Sequence, residues 1–408
     1  MYCITEETAV STPSSAMPYE SSIMSSNSTE LRTQILQAYG AKPSEVTELL
    51  TYNQNIFDRS GLDDSLEFPL QPESHIKTWE EYLAESARDE VFPTLKAKLK
   101  QWQFPIQAGM SESENYRAAT RKGKSTEGMA DATGLVLQEP ESLKLDIYDS
   151  LAGKIPVLTV GHRSDFIAII QALTERNEPQ PIPDSMGAMM VSGYNNWDRV
   201  RAYREAWEAR QSQPATELQW KFEFKRLTAQ KHLYQDRFIV LSSGGYSGVS
   251  ASEMGMTEEE WLRVSHQIRL AHECTHYFTR RLLGAMRNNL MDELMADYRG
   301  IVAGNKGQYR ADWFLRFLGL EQFPEYRVGG RLENYRGTPE LSDGAFRVLQ
   351  SLVKDAAENL EQFHVSHAET LATPAGQGRL LVALSQLTLE GIASQPEDVL
   401  HSTFDSCG

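Results

Sequence analysis

The 408 residues are 40% hydrophobic and 24% charged, proportions that fit a globular chain with a sizeable buried core. Lys and Arg total 40 against 56 Asp and Glu, and the resulting net charge of −16 repels a polyanion, so nucleic acid is not an expected partner. No apolar run approaches the roughly 20 residues of a membrane-spanning helix, which excludes a helical membrane anchor at the level of sequence.

Met1 to Asn27 is rich in Ser, contains Glu6, Glu7 and Glu20, and has neither a basic start nor an apolar stretch. It reads as a disordered leader (1–27) and not as a signal peptide. The three cysteines, Cys3, Cys274 and Cys407, form no disulfide framework, and a reducing cytoplasm is the expected setting. Residues 28–39 read as a capped helix with Leu31, Ile35 and Leu36 on one side; further helical patterns cover 78–89 and 94–102. The polar, Gly- and Ser-rich stretch 108–132 reads as a loop or weak helix that closes an N-terminal helical region, 28–133.

A mixed α/β region, 134–256, follows. Leu143, Leu145 and Ile147 alternate with polar residues as in a half-buried strand, and 155–160 is a continuous apolar run suited to a buried one. A helix is expected over 164–176 with Ser164 as its cap, and strands over 188–192 and 237–242. The last of these, with Gly244-Gly245-Tyr246-Ser247-Gly248 after it, is a candidate edge for holding an extended peptide, although an ordinary loop explains the glycines equally well.

From Thr257 to near the C-terminus the pattern is helical. Thr257 followed by Glu260 is a capping box. Val264, Ile268, His272 and His276 then recur every four residues, which puts two imidazoles one turn apart on the face carrying the aliphatic residues. Residues 271–276 read Ala-His-Glu-Cys-Thr-His, a match to H-E-x-x-H. Two histidines buried together without a ligand carry a desolvation cost that a metal ion removes. Cys274 lies about 200° around the helix from His272 and is not counted as a ligand.

A catalytic zinc takes a third protein ligand and keeps one position for water. After the turn signal Asn288-Asn289, residues Glu293, Ala296, Asp297, Gly300 and Ile301 fall on one stripe of a second, mostly apolar helix, where the small Ala296 and Gly300 allow close approach to the first. Glu293 is the candidate third ligand, with Asp292 the next choice. Asp297 is placed to accept a bond from a metal-bound imidazole.

His272-Glu273-x-x-His276, followed by Glu293-x-x-Ala296-Asp297, resembles the gluzincin branch of the zinc metallopeptidases, the zincins. The resemblance covers about 35 to 50 residues around that motif. It implies His272, His276 and Glu293 as zinc ligands, Glu273 as the general base that activates the metal-bound water, and Asp297 as an orienting partner. Gluzincins also supply a Tyr, His or Arg to the developing oxyanion; His266, Tyr246, Tyr309, Arg310 and Tyr326 are unranked candidates here.

Other signals are weaker. Ala118 to Ser125 reads A-x-x-x-x-G-K-S, one residue short of a P-loop and not preceded by a strand. Gly245-Tyr246-Ser247-Gly248 lacks the spacing of a nucleophile elbow. His364-x-x-His367 has no matching downstream ligand and reads as an exposed helix face. Arg263, Arg269, Arg280, Arg281 and Arg287 read as solvated helix faces, with an acidic substrate as the alternative.

The expectation is therefore an α+β protein: a helical zincin-like metal core (257–408) packed with the mixed region, 134–408 forming one catalytic domain, and a helical N-terminal extension. The expected activity is zinc-dependent hydrolysis of a peptide or amide-containing substrate, without nucleic-acid or membrane partners. A zinc enzyme acting on a small molecule and a non-catalytic, zinc-stapled binding protein are the alternatives. Oligomeric state is open.

Overall fold

The computed structural model describes residues 28–62, 66–286, 289–394 and 399–407; the expected leader 1–27, Arg287 and the turn residue Asn288 lie outside them. The architecture is α+β, a mostly helical chain with one small mixed sheet and helices at its N-terminal end. Among the described residues, no helix is long and apolar enough to cross a membrane. Two units are seen. One takes the residues up to Leu70 together with those from Gly245 onward, and the other is Gln71–Gly244.

The Gln71–Gly244 unit is built on strands β1 (Lys144–Ser150), β2 (Gly153–Val160), β3 (Ala188–Asn195) and β4 (Gln235–Ser242), in the order β1-β2-β4-β3. β1 and β2 form a hairpin, β2 and β4 run parallel, and β3 and β4 run antiparallel. The apolar run of β2 follows from its inner position, which buries both faces. Trp79, Trp102, Phe166, Ile169, Ile170 and Phe238 build the core beside the sheet.

Several local expectations are corrected. β4 is paired on both sides, so it offers no edge to a peptide. The helix Arg163–Thr174 has His162 at its N-cap; Ser164 lies inside it, with its hydroxyl 2.7 Å from His162 Nδ1. Glu114–Lys122 is a true helix within the stretch read as a loop or weak helix, and it ends at Gly123. The Gly-Lys-Ser sequence thus sits at a helix C-terminus, where carbonyls and not amides point outward, the wrong end for a phosphate.

A buried ion pair organises this unit. Arg199 Nη1 donates to Asp236 Oδ1 at 2.6 Å, while Trp79 Nε1 (2.9 Å) and Asn196 Nδ2 (2.6 Å) donate to Oδ2. Asp236 is fully buried, and that burial raises its pKa against the pull of Arg199. Removing one member of such a pair strands the other in a medium that solvates it poorly. Arg199→Met is therefore expected to destabilise the protein by about 3–5 kcal/mol, read from urea unfolding. A loss under about 1 kcal/mol would mean that water reaches Asp236.

In the other unit the N-terminal helices Thr29–Ala38 and Pro43–Tyr52 group with helices from the far end of the chain. Ser28 caps the first as expected, its hydroxyl accepting from the Leu31 amide. Glu390 explains the grouping. Its carboxylate is fully buried and accepts from Arg32 (3.1 Å) and Asn53 (3.0 Å), and the Tyr39 hydroxyl donates to Asp355 at 2.7 Å. These partners are separated by more than 300 residues in sequence, so no local pattern announces them. The division thus differs from the one expected at residues 134 and 257: residues 29–52 go with the C-terminal helices, and Gly245 to Met256 join the same unit.

His364 is not on an exposed face. It is 1% exposed, with Nδ1 2.8 Å from the Tyr298 hydroxyl and Nε2 3.1 Å from the Gly307 carbonyl. Its neighbour His367 stacks on Phe363.

Candidate metal centre

Two helices carry the centre. The first site helix, Glu258–Leu282, starts at Thr257, whose hydroxyl accepts from the Glu260 amide at 3.2 Å. The second, Leu290–Gly304, starts at Asn289, whose side chain accepts from the Asp292 amide. Gly300 and Gly304 bring them together. A Cβ at Gly300 would fall 2.9 Å from the Ile268 carbonyl oxygen, and one at Gly304 would fall 2.6 Å from Ile268 Cγ1. Because a backbone carbonyl cannot yield as a side chain can, Gly300→Val is expected to push the helices apart. Its cost is about 1–3 kcal/mol, with loss of metal binding measured on the same preparation. Wild-type metal uptake by that variant would show that the close approach is dispensable.

The expected ligands converge. His272, His276 and Glu293 are 7%, 1% and 2% exposed, and one donor atom of each lies within 4.8 Å of the others. The two Nε2 atoms are 3.0 Å apart, Glu293 Oε2 is 3.6 Å from His272 Nε2, and Oε1 is 3.6 Å from His276 Nε2. Donors arranged tetrahedrally around a zinc ion stand about 3.3 Å from one another, given zinc–nitrogen bonds of about 2.0–2.1 Å. The nearest nitrogen–nitrogen and nitrogen–oxygen approaches, the latter made by the two different Glu293 oxygens, fall near that spacing.

The outer ring nitrogens make the case stronger. His272 Nδ1 is 2.8 Å from Asp297 Oδ1, and His276 Nδ1 is 3.1 Å from Asp292 Oδ2, close but not aligned as a hydrogen bond. The two Nε2 atoms, 3.0 Å apart, are close enough to share one proton or to face a metal ion in common. Charge points the same way. Glu273, Asp292, Glu293 and Asp297 are all buried at this site, against two guanidinium groups, Arg269 and Arg331. The buried acidic groups thus outnumber the guanidinium groups, a setting that favours a cation.

The protons respond to this field. Burial works to lower the pKa of His276, but Asp292, Glu293 and Glu273 outweigh it and push it up to about 10. His272 is held well below the usual imidazole value by burial and by its proximity to His276. Burial also pushes the Glu273 carboxyl up to about 7, and its Oε2 is buried without a hydrogen-bond partner.

Of the residues weighed for the oxyanion, Tyr246 reaches the group: its hydroxyl donates to Asp297 Oδ1 at 2.6 Å and lies 3.0 Å from His272 Nδ1. Tyr309 packs on Tyr298, Arg310 pairs with Asp312, and Tyr326 donates to the Gly330 carbonyl. His266 lies earlier on the first site helix. Cys274 is buried and outside the donor group. Arg269 is not a solvated face: it is 4% exposed, donates to the Gly245 carbonyl at 2.8 Å, and lies over the Tyr246 ring. Asp292, named as a substitute ligand, stands behind His276 instead.

Two residues at the site had no sequence signal. Arg331 Nη1 donates to the Tyr246 hydroxyl at 2.9 Å and Nη2 pairs with Asp297 Oδ2, while the Tyr335 hydroxyl donates to Glu293 Oε2 at 2.8 Å. They follow Gly329-Gly330 on the short 3-10 helix Arg331–Tyr335, and no motif spacing links them to the second site helix.

Fold and site together define an α+β protein with a buried His-His-Glu group able to hold a metal ion. The chain belongs to DUF7005, a family of unknown function whose model matches residues 34–396. No curated protein and no solved structure matches it.

Proposed function

We propose that the protein is a zinc-dependent hydrolase of peptide or other amide bonds, with ligands and base arranged as in the gluzincins. The observation that carries this reading is the pair of buried Nε2 atoms 3.0 Å apart beneath the Glu293 carboxylate. Two imidazoles and one carboxylate suit zinc better than calcium or magnesium, which prefer oxygen throughout. Zinc, when bound, supplies a Lewis acid for a carbonyl oxygen and lowers the pKa of water towards about 7.

The chain's own groups do the rest. Glu273, one residue after a ligand and raised by burial to about 7, accepts a proton at its unpartnered Oε2 near neutral pH and returns it to a leaving nitrogen. Asp297 holds the His272 ring with Nε2 facing inward, and the Tyr246 hydroxyl fixes the Asp297 carboxylate. Cys274 and Cys407 are free thiols, which fits a reducing compartment such as the cytoplasm.

A second reading, zinc as a staple between two helices, is favoured by the low exposure of all three ligands. One preparation separates the two. Elemental analysis is expected to show about one zinc per chain, by the three-ligand count. A peptide library followed by mass spectrometry is expected to show cleavage that chelation stops and added zinc restores. Stoichiometric zinc with no cleavage would favour the staple; no zinc would end both readings.

A further inference from the structure

We propose that the 3-10 helix Arg331–Tyr335 is a clasp that sets how the metal group holds its ion, with Arg331 and Tyr335 as positioning residues. This rests on the zinc reading above. One short element reaches both carboxylates of the second site helix that matter for binding. Arg331 spreads its guanidinium across Asp297 Oδ2 and the Tyr246 hydroxyl, and through Asp297 it fixes the ring of His272. Tyr335 donates to Glu293 Oε2 and leaves Oε1, 3.6 Å from His276 Nε2, as the less encumbered donor. Glu293 is thereby biased toward binding through one oxygen, which preserves a vacant coordination position.

The clasp is itself held from outside. The Tyr52 hydroxyl donates to the Tyr335 carbonyl at 2.6 Å, and Gly330 and Glu333 are tied to the Tyr326 hydroxyl at 2.7 and 3.1 Å. Leu332 is fully buried, and Arg331 lies over the rings of both Tyr246 and Tyr335. The helix Pro43–Tyr52 is thus linked to the metal group through Tyr335, and the backbone of the neighbouring Gly337 approaches the Tyr52 ring.

Two substitutions test the clasp without changing charge. Tyr335→Phe removes the hydroxyl that engages Glu293. Arg331→Lys keeps the cation and removes the fork that spans Asp297 and Tyr246. Apo wild type and each variant are titrated with zinc against a chromophoric chelator, and the visible spectrum of the cobalt(II)-loaded protein is recorded. Circular dichroism checks the fold, and either variant suffices if the other does not fold. Each variant is expected to bind zinc about 10-fold or more weakly, and Tyr335→Phe to alter the cobalt spectrum as Glu293 is released. Wild-type zinc affinity together with unchanged cobalt spectra would overturn the clasp. Failure of wild type itself to take up zinc in the same titration would overturn the zinc reading first, and the clasp with it.

Discussion

Glu273→Gln is expected to leave zinc bound and to slow hydrolysis by about 10²–10⁴-fold, the range attributable to a positioned general base. The substitution is isosteric, and Glu273 is not among the three donors that converge, so the metal group keeps its ligands. What disappears is the ability to accept a proton. The glutamate is 6% exposed, and its Oε2 has no hydrogen-bond partner, so no neighbour competes for the proton it is meant to take. Its carboxyl, raised to about 7 by burial, is near the pH at which a base both stays ionised and returns its proton readily. Zinc content and turnover are measured on one preparation. Loss of zinc together with turnover would show that Glu273 serves the site's structure; unchanged turnover would move the base elsewhere.

Stripping the metal is expected to cost folding stability, and His276→Ala is expected to abolish that dependence. Without an ion, four buried carboxylates face two guanidinium groups and two imidazole nitrogens 3.0 Å apart. Protons can relieve part of the imbalance, as the raised pKa of His276 indicates, but a proton bridges two atoms where a divalent ion binds three. A ligand bound only by the folded state stabilises it by RT ln(1 + [L]/Kd), about 2.7 kcal/mol at zinc 100-fold above Kd. Thermal or urea unfolding of the chelated and zinc-loaded protein reads this difference directly. An unfolding midpoint that ignores zinc would mean that no ion binds the folded chain. The same comparison on His276→Ala removes binding at these residues as the only variable.

The expected core of the site depended on local periodicity. His272, Glu273 and His276 belong to one helix, and Glu293 and Asp297 to the next, so spacing along the chain largely settles which side chains share a face. Two caps were legible for the same reason: Ser28 and Thr257 each bond an amide three residues on, and Asn289, read as a turn signal, does the same. The continuous apolar run of β2 and the small residues of the second site helix likewise carry their meaning locally.

What the amino-acid sequence determined by itself, then, was the two site helices, their apolar faces and the ligand spacing, because each depends on residues within a turn or two of one another. Only the tertiary structure decided that Arg331 and Tyr335 reach the metal group, that Asp292 stands behind His276, and that β4 lies inside the sheet. It also decided that His364 is buried and that Arg32 meets Glu390. These are meetings between segments far apart along the chain, chosen by which surfaces pack and which buried charges find a counterpart. Neither the period of a helix nor the alternation of a strand encodes them.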